Sequence, residues 1–206
     1  SRIIGREREI EIIDKLLLSG KAEFLAVYGR RRVGKTFLIR EYLKSLIEFS
    51  FSGSFEEENS IQLTNFFHEY LRRTGGKKET SSPRNWTIAF NYLTDYLHQI
   101  KNRKQKVVVF IDELPWLDTP KSGFIKALEY FWNQHASTID NVLLVVCGSA
   151  ASWKQQKIFQ SKGGLHNRVT KRIKLEPFNL FETEQFCKSR KLKFTRYQII
   201  QLYMAM

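Results

Sequence analysis

Apolar residues in this chain follow two spacings, and the change from one to the other predicts where strands and helices lie. Continuous apolar runs such as VVVFI and VLLVVC are typical of strands buried on both faces of a sheet. Stretches in which apolar residues recur every three or four positions are typical of helices. The pattern predicts strands over 24–28, 47–53, 106–113, 141–150 and 172–178, and helices over 7–18, 36–46, 122–137, 151 to about 156, 180–191 and 195–206.

The region from 57 to about 103 is predicted to form two helices. They are separated by RRTGGKKETSSPRN, the most loop-like stretch of the chain. Large apolar residues recur at helical spacing in both, and we interpret them as core faces rather than as platforms on which bases stack. These residues are Phe66, Phe67, Tyr70, Leu71, Trp86, Ala89, Phe90, Leu93 and Leu97.

Alternation of strands and helices indicates an α/β fold, in which helices cover both faces of a parallel sheet. The 206 residues are enough for one well-buried core. A hydrophobic content of 42% and an aromatic content of 14% are those of a globular domain rather than of a disordered chain.

The chain carries 34 Lys and Arg against 21 Asp and Glu, a formal net charge of +13. This excess predicts an anionic partner, DNA included, bound through a basic surface. The basic residues are spread along the chain, however, and a solvated cationic surface explains them equally simply. Clusters lie at 72–78, 101–106 and 188–196, without any helix-turn-helix, RNA-recognition or zinc pattern, so DNA binding is a hypothesis about an accessory property.

Cysteine usage and the N-terminal sequence indicate a cytoplasmic location. Cys147 and Cys187 lie far apart and show no C-x-x-C spacing, which speaks against a zinc site or a disulfide framework. The N-terminus, SRIIGREREIEII, has no signal-peptide core, and the longest apolar runs are only as long as a strand. Neither secretion nor a membrane partner is predicted.

The stretch YGRRRVGKTFL matches the phosphate-binding pattern G-x-x-x-x-G-K-[ST], between a predicted strand and a predicted helix. Gly34 lets the backbone curl around an anion, and the N–H groups of the helix N-terminus face it. Lys35 would reach the β and γ phosphates, also in a catalytic role, and Thr36 would offer its hydroxyl to Mg²⁺. The nucleotide contacts predicted in this loop are Gly29, Arg30, Arg31, Arg32, Val33, Gly34, Lys35, Thr36 and Phe37.

Two carboxylates end the predicted strand KVVVFIDE. Asp112 stands at its C-terminal end, where open α/β sheets bind ligands. A nucleotide site of this type needs a carboxylate for magnesium and, if it hydrolyses, a base for the attacking water. We predict that Asp112 and Thr36 bind Mg²⁺ and that Glu113 is the catalytic base. An isolated Asp-Glu pair is usually a solvated turn, and it is the glycine loop upstream that favours these roles.

Ser149 and Arg168 are two further catalytic candidates, each with a structural alternative. Ser149 ends the fourth predicted strand, beside Asp112, where it would sense the γ phosphate or would only cap a turn or helix. Arg168 precedes the fifth predicted strand, in GGLHNRV. It would give positive charge to its own nucleotide or to that of a neighbouring subunit in a homo-oligomer, or it is an ordinary surface arginine.

Three consecutive arginines, Arg30, Arg31 and Arg32, occupy the variable positions of the glycine loop. Their side chains are expected to point away from the phosphates while the backbone cradles them. They raise the local positive potential, and they either anchor carboxylates of the fold or meet an external anion. The sequence is compatible with both interpretations.

The segments GREREI, YGRRRVGKT, VVVFIDELPWL, VCGSA and LHNR before LEPF together resemble the archaeal-type ATPases, a branch of the AAA+/STAND group of P-loop NTPases. The resemblance covers essentially the whole chain, and YGRRRVGKT and IDELPWL are its most specific parts. It implies a three-layer fold of the ASCE class with strand order 5-1-4-3-2, and ATP with Mg²⁺ as ligands. It also implies a core over 1–178 and the beginning of a helical lid over 179–206.

The same resemblance places the GRE segment, with Ile4, Gly5 and Arg6, near the adenine. Such proteins often carry a further C-terminal domain similar to a winged helix or a nuclease. We expect the natural chain to continue beyond Met206, because the last predicted helix stops there without a cap. A lid arginine for the γ phosphate and an effector domain would then lie outside this sequence, which leaves turnover by the fragment open.

The leading functional hypothesis is an Mg²⁺-dependent ATPase that acts as a nucleotide-driven switch or motor. Adenine is favoured over guanine by the resemblance and by the lack of an N-K-x-D motif. The alternatives are a regulatory or scaffold module that binds nucleotide without turnover, a DNA-associated ATPase and a small-molecule kinase. The intact pair Asp112 and Glu113 favours hydrolysis by water over the first and the last of these.

Overall fold

Strands and helices alternate along the chain, as the apolar pattern predicts. The computed structural model describes residues 3–75, 81–149, 151 and 165–205. Its strands are β1 (Glu23–Gly29), β2 (Ile47–Ser52), β3 (Val107–Asp112), β4 (Val142–Ser149) and β5 (Lys171–Leu175). Its longer helices are α1 (Glu7–Leu17), α2 (Lys35–Tyr42), α3 (Asn59–Thr74), α4 (Trp86–Ile100), α5 (Phe124–Gln134), α6 (Leu180–Ser189) and α7 (Arg196–Ala205).

The five strands form one parallel sheet in the order β2-β3-β4-β1-β5. Read from the other edge this is 5-1-4-3-2, so the predicted fold class and strand order are confirmed. Parallel strands place all their carboxyl ends at one end of the sheet. Gly29 pairs in register with Ser149, and Ile111 pairs with Val146, so β1 and β4 end at the same level and extend about two residues beyond the end of β3.

Successive strand residues pack on opposite faces of the sheet. In β1, Phe24 and Ala26 join the core that contains residues of α3, α4 and α5, whereas Leu25 and Val27 join the core built on α1 and α2. This alternation is the two-residue period of a strand buried on both sides. The molecule therefore has three layers, with the sheet in the middle.

Aromatic side chains dominate the larger of the two cores. Trp86 meets Phe124 edge-on, with their ring centroids 4.9 Å apart, and Phe90 stacks on Phe131, with their ring centroids 5.0 Å apart. Trp86 is 1% exposed and Phe90 is 2% exposed, so neither ring can stack on a base. The interpretation of these helices as core elements is confirmed, although Tyr70 is only partly buried.

Several predicted boundaries differ from the observed ones, and three of these differences have local reasons. Helix α2 ends at Tyr42 rather than at 46, because the chain tightens into a turn in which the N–H of Leu46 donates to the carbonyl of Leu43 at 2.8 Å. Strand β5 ends at Leu175 rather than at 178, two residues before Pro177, which has no N–H to offer a ladder. Helix α5 begins at Phe124, just after Gly123 with a φ of 68°.

Part of the predicted structure cannot be compared. The short helix expected as far as Gln156 falls outside the described residues, apart from Ala151, which is helical.

Helix α6 begins immediately after the predicted limit of the core. Asn179 and Glu182 form a reciprocal capping box, in which the side chain of each accepts a hydrogen bond from the backbone N–H of the other, at 2.9 Å and 2.8 Å.

Within the described residues, every helix is too short or too polar to cross a membrane.

Candidate functional site

The loop between β1 and α2 curls back on itself through left-handed backbone conformations. Gly34, which precedes the first residue of α2, has a φ of 92°, and Arg32 has a φ of 67°. Glycine adopts the first conformation without strain. The loop leads directly into the N-terminus of α2, where unpaired backbone N–H groups and the helix dipole favour an anion.

Gly29 begins this loop where β1 passes closest to β5. A Cβ atom added at Gly29 would lie 2.2 Å from the carbonyl oxygen of Leu175, its register partner. Any side chain would therefore push β5 away from β1. The first glycine of the motif is required by strand packing, independently of any ligand.

We expect Gly29→Ala to lower the free energy of unfolding by about 2 kcal/mol, the middle of the range for overpacking a dense interior. The measurement is the midpoint of urea unfolding in the absence of nucleotide. Gly20→Ala is the matched control, since a Cβ there meets nothing within 4 Å. Equal midpoints for the two variants would contradict this account of Gly29.

The side chain of Lys35 folds back over the glycine loop. Its amine donates to the carbonyl oxygens of Gly29 at 3.2 Å and of Arg30 at 2.9 Å, and the residue is 6% exposed. Two carbonyl contacts therefore hold this buried ammonium at the mouth of the loop. The charge lies where an incoming phosphate would meet it.

The hydroxyl of Thr36 and the carboxylate of Asp112 form the metal-binding candidate. Thr36 Oγ1 donates to Asp112 Oδ2 at 2.8 Å, which joins the start of α2 to the end of β3. Mg²⁺ prefers such oxygen ligands, and it is usually bound by one or two protein groups together with phosphates and waters. The described residues contain no group of three or more His, Cys, Asp and Glu that could hold a metal unaided. The pair fits a magnesium ion shared with a nucleotide.

Glu113 follows Asp112 in a left-handed conformation, with a φ of 46°. Its backbone N–H donates to Asp112 Oδ1 at 3.0 Å, while its own Oε2 is buried and has no hydrogen-bond partner. Burial, and then repulsion by Asp112, raises the pKa of Glu113, and the charges of Lys35 and Arg31 oppose the rise. A carboxylate with a raised pKa and an unused oxygen is suited to accept a proton.

Two cavities meet at this loop. One, of about 440 Å³, is lined by Lys35, Thr36 and Glu113 together with Arg31 and Arg32 of the loop. The other, of about 480 Å³, is mainly apolar and is lined by Ile4, Val33 and residues of α6. Gly34 and Phe37 border both, so the polar and the apolar cavity are adjacent. Their sizes and chemistry suit the phosphates and the base of one nucleotide.

Arg6 fixes the wall of the apolar cavity. Its guanidinium donates to the carbonyl oxygens of Glu176 at 2.7 Å and of Val33 at 3.0 Å, and it lies 4.5 Å from the ring centre of Phe178. Burial lowers the pKa of Arg6, with Glu9 and Glu182 opposing the shift. The side chain thus links the N-terminal segment, the glycine loop and the connection from β5 to α6.

Arg6→Ala is expected to lower the free energy of unfolding by about 2 kcal/mol, because the carbonyls of Glu176 and Val33 lose a charged donor that is itself buried. ATP affinity should fall as well, since Val33 is no longer held against the cavity. Thermal unfolding and a fluorescent nucleotide titration measure the two effects. Arg8→Ala is the control, as Arg8 is an exposed arginine of the same segment. If the two variants are equally stable, the bridging role is wrong.

Three other predicted nucleotide contacts, Gly5, Arg31 and Arg32, differ in their surroundings. Gly5 adjoins α6, since a Cβ there would lie 3.1 Å from Glu182 Oε1. Arg31 lies over the ring of Trp116, with its guanidinium carbon 5.6 Å from the ring centre. This contact favours the interpretation of Arg31 as an anchor within the fold, while Arg32 is exposed.

Ser149 and Arg168 lie at opposite ends of the sheet. Ser149 is 3% exposed and sits beside Gly29 at the loop end. Lys171 pairs with Leu25, four residues or about 13 Å before Gly29 along the strand, and Arg168 precedes Lys171 by three residues. Arg168 lines neither of the two cavities.

Residues beyond β5 complete the apolar cavity, and most of them have no signature in the sequence. Phe178, Phe186, Ser189 and Arg190 all line it. Phe178 ends the predicted strand over 172–178, so its position beside the sheet could have been inferred. The contribution of α6 depends on how that helix packs, which spacing along the sequence does not reveal.

Comparison with known proteins finds similar chains among archaeal proteins. An uncharacterised protein of Methanocaldococcus jannaschii is 24% identical over 186 residues, which are 89% of this chain and 38% of that protein. The Walker-type ATPase of Pyrococcus abyssi has a TM-score of 0.62 at 18% identity, over 97% of this chain and 62% of that one. The ORC2 protein of Aeropyrum pernix, solved as ADPNP-ADP complexes, has a TM-score of 0.61 at 18% identity, over 93% and 52%.

These structural likenesses show a shared fold, and the chain spans less than two thirds of the length of each of these relatives. The family match is more specific. The pattern of the ATPase domain found predominantly in Archaea extends over residues 3–198, nearly the whole chain. The chain belongs to this family of P-loop ATPase domains.

Proposed function

We propose that this domain binds ATP with Mg²⁺ and hydrolyses it to ADP and phosphate. One observation carries the proposal. A buried carboxylate oxygen of Glu113 without a partner lies next to the Thr36–Asp112 pair, in a cavity that also contains Lys35. A site that only held nucleotide would not require an unsatisfied carboxylate at that position, whose burial is costly.

The residues of the loop would bind and orient the triphosphate. The N–H groups at the start of α2 would face its oxygens, and Lys35 would exchange its two carbonyl contacts for the β and γ phosphates. Thr36 and Asp112 would hold Mg²⁺, which neutralises charge on the β and γ phosphates when bound. Such electrostatic positioning accounts for most of catalysis in phosphoryl transfer.

Glu113 would take the proton from the attacking water. The water oxygen forms a bond to the γ phosphorus, the bond from that phosphorus to the bridging oxygen breaks, and ADP leaves with the bond's electrons. The raised pKa of Glu113 brings its basicity closer to neutral pH, which improves proton transfer. Ser149, at the neighbouring strand end, is proposed to sense the γ phosphate.

The apolar cavity would hold the base. Ile4, Val33, Phe37 and Phe178 offer it apolar and aromatic surface, which suits a purine ring. Adenine is proposed over guanine, in line with the adenine nucleotides named for the Aeropyrum pernix structure. Because α6 shares this cavity with the loop, we propose that bound nucleotide changes the position of a lid, residues 179–206, relative to the core over 1–178.

Arg168 is proposed to act across a subunit boundary. Arg168 precedes β5 at the end of that strand away from the glycine loop, which favours its presentation to the nucleotide of a second copy of the chain. A homo-oligomer is thus part of the proposal.

DNA binding is a separate proposal, which rests on the net charge of +13. A cytoplasmic setting is also proposed, and it rests on the two cysteines being free thiols.

The test is phosphate release from ATP, measured with Mg²⁺ and with EDTA in its place. We expect turnover only with Mg²⁺, and competition by ATP at lower concentrations than by GTP. Tight binding of ATP without any turnover, with or without DNA, would overturn the hydrolytic part. A preference for GTP would overturn the assignment of the apolar cavity to adenine.

A further inference from the structure

Strand β2 forms one edge of the sheet. It pairs with β3 on one side, and within the described residues no strand pairs with it on the other. An edge of this kind exposes a row of backbone donors and acceptors that can receive a further strand.

The register shows which backbone groups face outward. The N–H of Gly53 donates to the carbonyl of Asp112 at 3.0 Å, so Gly53 faces β3. Backbone groups alternate in direction along a strand. Those of Phe51 therefore face β3, and those of Ser50 and Ser52 point away from the sheet.

A groove of about 650 Å³ lies along this edge and includes Ser50 and Ser52. Helix α2, on one face of the sheet, and helix α3, on the other, form its walls. Both walls carry exposed cations. Arg40 comes from α2 and Lys44 lies just after its end, and Arg72 and Arg73 come from α3. Two carboxylates, Glu41 and Glu69, also line the groove, and Glu69 pairs with Arg72 at 3.2 Å.

We propose that this groove binds an extended acidic peptide segment of a partner protein, which adds to β2 as a sixth strand. Side chains of an added strand point alternately to the two faces of the sheet. One set would meet Arg40 and Lys44, and the other would meet Arg72 and Arg73. The arrangement therefore selects a segment with acidic residues at adjacent positions, one for each wall.

The open strand edge favours a peptide over a nucleic acid. Ser50 and Ser52 present N–H donors and C=O acceptors in alternation, and a peptide backbone matches both. A phosphodiester backbone has no donor for the carbonyl groups. Glu41 and Glu69 would also repel closely spaced phosphates, whereas a peptide can place its own amides or hydroxyls beside them.

The probe is a fluorescein-labelled peptide of eight residues, Thr-Glu-Glu-Val repeated twice, with the sequence Thr-Lys-Lys-Val repeated twice as its charge-reversed control. We expect the acidic peptide to bind and the basic one to bind at least roughly tenfold more weakly, as loss of one charged contact implies. Hydrogen exchange at the amides of Ser50 and Ser52 should slow when the acidic peptide is bound.

Two variants separate the charge from the strand edge. Arg72→Glu should weaken peptide binding roughly tenfold, whereas Lys126→Glu, an equal change on α5 outside the groove, should not. Ser50→Pro removes one outward N–H and leaves the ladder to β3 intact, so it should also weaken binding. ATP turnover serves as the check that each variant is folded.

Three outcomes overturn the proposal. The first is failure of the acidic peptide to bind the wild-type chain. The second is peptide binding that leaves the exchange of Ser50 and Ser52 unchanged, because the contact would then be charge alone. The third is displacement of the peptide by an oligothymidylate of eight nucleotides that binds more tightly and is weakened by Arg72→Glu, which would make the groove a nucleic-acid site.

Discussion

Glu113→Gln is expected to lower kcat for ATP by a factor of roughly 10² to 10³ while leaving ATP affinity nearly unchanged. Glutamine fills the same space beside Asp112 but cannot take a proton from water. The contacts assigned to the phosphates, from the glycine loop and Lys35, stay in place. Phosphate release and equilibrium titration with a fluorescent ATP analogue measure the two quantities.

The same substitution should make the protein more stable at neutral pH. The pKa of Glu113 is raised in the folded state, so the fold disfavours its ionised form. Its contribution is favourable below the pKa of an unfolded glutamate, about 4.3, and is lost as pH rises through the folded pKa. Glu113→Gln should therefore raise Tm at pH 7 and have little effect on Tm at pH 4.

Glu129→Gln is the control, since Glu129 lies on α5 outside both cavities and should change neither kcat nor Tm appreciably. Loss of ATP binding in Glu113→Gln would show that the carboxylate supports the loop rather than the chemistry. An unchanged kcat would place the base elsewhere. A gain in Tm without a loss in kcat would support the destabilising burial of the Glu113 carboxylate and would contradict its role as the catalytic base.

The sequence was sufficient for the central part of the site because its residues follow from strand order. VVVFI is apolar without interruption, which requires burial on both faces and places Asp112 at the carboxyl end of a central strand. Gly34, Lys35 and Thr36 are fixed by their motif at the start of a helix. Once β1 and β3 belong to one parallel sheet, these groups must converge.

The periphery of the site could not be predicted in the same way. Arg6 is one of many arginines, and only the approach of Val33 and Glu176 from distant parts of the chain gives it two carbonyl acceptors. Glu113 also meets a distant part of the chain, since a Cβ added at Gly53 would lie 2.6 Å from the Glu113 carbonyl oxygen. Neither contact has a local sequence signature.

Lys35→Ala is expected to weaken ATP binding by roughly 100-fold or more and to bring turnover below detection. Lys35 is the only lysine among the described residues that line the polar cavity. A buried charged contact to phosphate contributes several kcal/mol. Its loss also leaves the carbonyl oxygens of Gly29 and Arg30 facing the phosphates without a cation between them. Calorimetric titration with ATP and Mg²⁺ measures the affinity.

Lys44→Ala provides the matched control, because Lys44 is an exposed lysine shortly after α2 and lies outside both cavities. It should bind and hydrolyse ATP as the wild type does, which separates loss of one specific ammonium from a change of one unit in net charge. If Lys35→Ala binds ATP normally but does not turn it over, then Lys35 acts on the transition state alone. If both variants bind more weakly by the same factor, then the long-range field of a chain with a charge of +13, rather than the contact with Lys35, dominates nucleotide binding.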